Sequence, residues 1–224
     1  MMKNENGNVF IYILIAVILF GALMFTLSKS ASQEDADSEL TEGNVKIAAN
    51  EIVSFSSSVS NSLAQMEQSG ATADQIDFIL PSDAAFNTAP TLYKLFHPDG
   101  GGLNYRPLPA KAINDDGAGL SAGYYIGRFS SVEWTPSATN DIILTAYEIN
   151  QNVCAELNRK ITGSTTIPTV VGESLQNLFV DDGLHAGANA NFVVGNCAAC
   201  ENQPSLCVTD GASKYAFYSI IEAE

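Results

Sequence analysis

The residues with the most chemistry to offer in this chain are four cysteines, Cys154, Cys197, Cys200 and Cys207. The last three are spaced C-x2-C-x6-C. A four-thiolate zinc site wants two C-x2-C knuckles, and only one is present. A redox C-x-x-C needs a thioredoxin-like βαβ setting, which the flanking pattern does not offer. Covalent haem attachment needs a histidine after the second cysteine, and Glu201 stands there. In an exported domain an even count reads instead as two disulfides, with three possible connectivities. A Cys197–Cys200 bridge would close a small, strained ring. The expected pattern is therefore Cys154 joined to one of the cluster, with a second bridge inside it. A bridge from Cys154 would be worth about 2–4 kcal/mol.

The remaining reactive residues do not converge. His97 and His185 are the only histidines, and each lies in a glycine-rich loop without metal-ligand spacing. No G-x-S-x-G elbow accompanies them, so they read as loop residues. Gly117-Ala118-Gly119-Leu120-Ser121-Ala122-Gly123 comes close to a dinucleotide fingerprint, but its third glycine is one residue late and no strand–helix context surrounds it. Asp99, Asp115–Asp116 and Asp181–Asp182 lack the spaced D-x-D-x-D-G form of a calcium loop. Trp134 and Tyr124–Tyr125 suit sheet packing better than a sugar platform. No catalytic residue, cofactor or metal ligand is assigned, and an anchored hydrolase ranks last among the readings.

The elements that carry these residues fall into two unlike parts. The chain has 224 residues and a formal charge of −15, yet its mean hydropathy is +0.08. Val9 to Leu27 contains no charged residue over 19 positions. As a helix it spans roughly 28 Å, close to a bilayer core of about 30 Å. It is apolar all round, unlike the face of a surface helix. A cleaved secretory signal with a small-x-small site at Ser28-Lys29-Ser30 is the rival. The run exceeds the usual h-region, and Glu5 offsets Lys3. A retained single-pass anchor is expected, with the N-terminus cytoplasmic. Eight of ten basic and 24 of 25 acidic residues follow position 30, giving the exported part a formal charge of −16. Such a surface repels phosphate backbones, which excludes nucleic acid as a partner.

The expected organisation is a leader over 1–8, a transmembrane helix over 9–27, a spacer and amphipathic helix over 28–70, and an α+β head over 71–224. Val45, Ile52, Phe55, Val59, Leu63 and Met66 form one apolar stripe, and Gly70 stops the helix. Ser54, Ser56, Ser57, Ser58, Ser60 and Ser62 are assigned to the opposite face. Strands are expected over 76–80, 124–134, 141–149, 191–194 and 215–221, the last closing a mostly antiparallel sheet. Asn150 should cap a helix over 151–161 that ends at Gly163, and 174–180 is a short helix or strand.

Taken together, a polar leader ending in Gly7, an immediate apolar helix, an amphipathic continuation, an α+β head and C-terminal cysteines resemble the type IV pilins and the pseudopilins of type II secretion. The motif itself covers Gly7 to Leu27. Tyr12 stands where the family usually has glutamate, and Asn8 follows the glycine. These departures suit a minor or pilin-like protein better than a major subunit. The resemblance implies cleavage after Gly7 by a prepilin peptidase, an inner-membrane anchor with a periplasmic head, and assembly with itself or with other pilin-like subunits through the helices. Ala22 and Thr26, a small pair one turn apart, could allow close helix approach in the bilayer. The competing reading is a membrane-tethered binding module that uses loops 83–122.

Overall fold

The computed structural model describes residues 33–115, 117, 119–180 and 189–223, with side chains from Glu42 onward. The expected leader, the Val9–Leu27 span, Gly7, Ala22 and Thr26 lie outside the described residues. Among those described, no helix is long and apolar enough to cross a membrane. The chain divides into two compact units, 1–44 and 45–224. Of the first, only the opening of helix α1 (Gln33–Gln68) is described.

From Val45 the stripe behaves as its spacing requires. Ile52, Phe55, Val59, Leu63 and Met66 are all buried, joined by Ala48 and Ala49, and Val45 is partly buried. Serine is a mediocre helix former, so this packing holds the helix. Two of the serines assigned to the outer face are in fact buried, Ser56 and Ser62. The apolar contact is wider than a one-residue stripe, and Ser62 uses its hydroxyl to bond the Gly101 carbonyl at 2.9 Å. Gly70 ends the helix region in the left-handed conformation, φ 98°, which a side chain would disfavour.

Four strands form one antiparallel sheet: β1 (Gly123–Ser130), β2 (Asp141–Tyr147), β3 (Ser205–Thr209) and β4 (Tyr215–Glu222), in the order β1-β2-β4-β3. The fold is α+β with an antiparallel sheet and two disulfides. β4 does not close the sheet as an edge. It lies inside, between β2 and β3, because β3 supplies an edge strand that the sequence pattern did not reveal. Residues 76–80 and 191–194 are not strands either. Asp77 and Phe192 each make one isolated bridge, to Lys94 and Val132.

Both faces of the sheet are covered. Ile142, Leu144 and Ala146 of β2 face the α1 side, with Tyr124, Ile126 and Phe217. Ile143 and Tyr147 face the other side, with Phe129, Val208 and Tyr218. This is the period-two alternation of a strand with apolar residues on both sides. Helix α2 (Gln151–Thr162) joins the α1 side through Val153, Cys154 and Leu157. The Asn150 side chain caps it by accepting from the Val153 N–H, and Gly163 closes it at φ 81°. The second face is roofed by helix α3 (Leu175–Phe179) together with Val180 and Phe192. This five-residue helix leaves carbonyls without intrahelical partners. Ser130 donates to Leu178 O, and Thr145 to Phe179 O at 2.6 Å, so the sheet itself satisfies them.

Candidate functional site

The cysteines are positioned by α2, by β3 and by one tight turn. Cys154, on the inner face of α2, is bonded to Cys207 of β3, with Cα atoms 5.4 Å apart. The other bridge is Cys197–Cys200. The Cys154 pairing follows the expected pattern, whereas the ring argument against Cys197–Cys200 fails. Residues 198–200 form a 3-10 turn in which the Cys200 N–H donates to Cys197 O at 2.9 Å, bringing the two Cα atoms to 5.3 Å. That spacing is within the ordinary disulfide range. All four sulfurs belong to buried residues, and no free cysteine is present among the described residues. No cluster of His, Cys, Asp or Glu there could hold a metal ion.

One turn beyond Cys154, Asn158 performs a task the sequence did not announce. Its carboxamide donates to Cys207 O at 2.8 Å and accepts from the Cys207 N–H at 2.7 Å. A side chain thus stands in for a neighbouring strand. Further along, Thr209 accepts from the Val170 N–H and donates to Pro168 O. The outer edge of β3 is sealed at both residues.

Of the two histidines only His97 is among the described residues. His97 is buried, its ring 5.1 Å from that of Phe86, and its Nδ1 accepts the Asp99 N–H at 3.1 Å. Among the described residues no serine, threonine or cysteine side chain bonds to it. His185, Asp116 and Asp181–Asp182 lie outside the described residues. Asp115 serves as a loop clamp: its carboxylate accepts from the Gly117 and Ala122 N–H groups, which hold its pKa below the usual value. Tyr124 packs on Phe55 at 4.4 Å, Tyr125 edge-on to Tyr147 at 6.1 Å, and Trp134 on Phe192 at 4.9 Å. These aromatics are packing residues. Burial raises the pKa of Tyr124 and Tyr218 well above the ordinary phenol.

Sequence reasoning missed several buried charges, Lys94 and Glu148 among them. Lys94 is 4% exposed and donates to the carbonyls of Ala85, Phe86 and Thr88 at 2.5–3.0 Å, so its ammonium ties down the 85–88 loop. Glu148, 1% exposed, pairs with Lys214, and its Oε2 has no hydrogen-bond partner. Glu148 also has φ 54°, an uncommon backbone for a residue with a side chain. Its own C=O accepts from the Asn114 N–H. The pair fastens the end of β2 to the β3–β4 turn and to the 112–115 loop. Only the 66-residue separation of Glu148 and Lys214 hid it from a reading by local spacing.

One cleft of about 280 Å³ opens where α1 ends, lined by Gln65, Met66, Ser69, Tyr93, Asp99 and Gly101 among others. Asp99 Oδ2 accepts from the Thr91 hydroxyl at 3.0 Å. The last turn of α1 carries no basic residue, so its carbonyl end stays negative.

No protein-family model, curated protein or solved structure matches this chain.

Proposed function

We propose that this chain is a pilin-like or pseudopilin-like structural protein, anchored in the bacterial inner membrane by Val9–Leu27, with its α+β unit in the periplasm. The observation that carries the reading is the helix from Val45 to Gln68, which buries one apolar stripe against a four-stranded antiparallel sheet. Order along the chain adds support: polar leader, Gly7, apolar run, helix, sheet and C-terminal disulfides. In this reading the work is done by packing, with partners in the lipid bilayer and in copies of itself or related subunits. Prepilin peptidase acts after Gly7, and no residue is catalytic. The test places cysteine at Ala22 or Thr26 in turn and oxidises the membranes. A crosslinked ladder at these positions, and not at neighbouring lipid-facing ones, is expected. Equal crosslinking at every position in the run contradicts helix packing through that face.

The second reading is a tethered binding module, favoured by the cleft at the end of α1, whose walls come from loops within 83–122 as well as from the helix. A discrete partner recovered with an uncleaved chain would select it. The anchored hydrolase stays last, since His97 is packed on Phe86 and bonded to backbone.

A further inference from the structure

A groove of about 310 Å³ opens beside the last residues of β4. Trp134 and Pro136 of the β1–β2 connection line it, with Pro204 from the segment before β3 and Ile220, Ile221 and Glu222 from β4. Each of these residues is half-buried or exposed, so the groove is open to a ligand. Its volume lies at the lower end of ligand sites and suits one long side chain. Trp134 is the only tryptophan of the chain. It packs on Phe192 with ring centroids 4.9 Å apart, yet its buried Nε1–H meets no acceptor among the described residues. A phenylalanine would pack there without leaving a donor unbonded, so packing alone does not account for an indole. What Trp134 offers the groove is its apolar ring, and indole is the best aromatic partner for a cation.

The charges around the groove have one sign. Its walls come from the stretches 129–158, 161–213 and 215–224, and none of these holds a lysine or arginine. Glu222 is part of the wall. Glu133 and Glu201, both exposed, adjoin the lining residues Trp134 and Asn202 in the chain. Behind Thr135, which also lines the groove, lies Asp141, 0% exposed. Its carboxylate accepts from the Thr135 and Ser137 hydroxyls at 3.0 Å and from the Val132 N–H at 2.9 Å. These donors are all neutral, so dipoles solvate the buried carboxylate and no cation cancels it. An aromatic ring among acids, with an apolar floor, is the setting in which a cationic side chain gains most.

We propose that this groove takes an arginine side chain of a partner protein, with its guanidinium against Trp134 beside Glu222 and its stem along Pro204, Ile220 and Ile221. Arginine fits better than lysine, because a guanidinium stacks on aromatic rings and is more weakly hydrated than an ammonium. A neutral ligand such as a sugar would use the ring and leave the acids without a role. The inference does not depend on entry into a filament.

Because Trp134 is the only tryptophan, its fluorescence reports the groove directly. The test titrates the full chain in detergent with the capped tripeptide acetyl-Gly-Arg-Gly-amide. The expected result is a saturable change in tryptophan emission at millimolar peptide, weakened by added salt. The same peptide with citrulline, which keeps the shape and loses the charge, should bind about tenfold or more weaker, and the lysine peptide several-fold weaker. Glu222→Gln should weaken the arginine peptide about threefold or more. The citrulline comparison uses the unaltered protein, so it stands whatever the variant does to folding. No saturable change with the arginine peptide overturns the proposal. So does an equal response to the citrulline or lysine peptide, or an unchanged affinity in a folded Glu222→Gln variant.

Discussion

Removing each disulfide in turn should cost unequal amounts of stability, and the difference can be worked from the loops they close. Cys154–Cys207 spans 53 positions and Cys197–Cys200 spans 3. Loop-closure entropy gives about 4 kcal/mol for the first and about 2 kcal/mol for the second. The perturbation is a pair of double variants, Cys154→Ala with Cys207→Ala, and Cys197→Ala with Cys200→Ala. All four residues are buried, so the loss of sulfur contacts is similar in the two variants and the difference isolates the loops. The assay is urea unfolding without reductant. With an m-value of roughly 2 kcal/mol per molar, the midpoint should fall by about 2 M for the first variant and about 1 M for the second. The long bridge also holds α2 against β3, where Asn158 bonds Cys207. Its loss should therefore speed amide exchange along β3, which the short bridge should leave slow. An equal or larger loss for the Cys197/Cys200 variant refutes the reasoning. So does a peptide map that joins Cys154 to Cys197 or Cys200.

Other consequences are as direct. Phe55→Ala removes a 5% exposed ring packed at a tilt on Tyr124, and thermal unfolding should show about 3–5 kcal/mol of destabilisation; a loss under about 1 kcal/mol would mean the helix is not docked on the sheet. Lys214→Ala leaves the Glu148 carboxylate buried without its partner and should cost about 3–5 kcal/mol, while adding Glu148→Gln should recover part of that loss in the same unfolding assay. The carboxyl of Glu156 is held below its usual pKa by its hydrogen bonds to Arg159, and that of Asp115 by two backbone N–H groups. Groups lowered in the folded state stabilise it above the unfolded pKa, so their contribution is complete above about pH 5 and drains away as pH falls below about 4. Stability measured at stepped pH should show that slope, reduced in Glu156→Gln. The raised pKa values of Tyr124 and Tyr218 act in the other direction, with stability present below about pH 10 and lost as pH climbs past it. Tyrosinate absorbance from these two should appear only together with unfolding.

Periodic features were the legible ones. The stripe from Val45 to Met66 repeats at helical spacing over six turns, and the Asn150 and Gly163 signals bracket α2 within one residue. β1 and β2 showed themselves by runs of β-branched and aromatic residues. β3 did not, since Ser205–Thr209 is five residues long and its middle residue looked like part of a cysteine motif. Its presence moved β4 from the edge to the interior. Residues 76–80 have strand-like composition but no neighbour beyond the single Asp77–Lys94 bridge, because the chain turns again after Pro81. Two of the site features that escaped are long-range, Asn158 on Cys207 and Glu148 with Lys214; Lys94 bonds carbonyls only six to nine residues away, but to backbone groups that no side-chain spacing marks. Local spacing carries no record of which distant residues fold together. The CxxC ring was misjudged by considering the ring alone, without the 3-10 turn that shapes it.

The pilin-like reading turns on the mature N-terminus more than on any feature of the head. Intact-mass and N-terminal peptide analysis of the chain purified from membranes tests it most directly. The account predicts a mature protein that begins at Asn8, cut after Gly7. A protein that begins at Ala31, cut after Ser30, would have lost Val9–Leu27 and would contradict it.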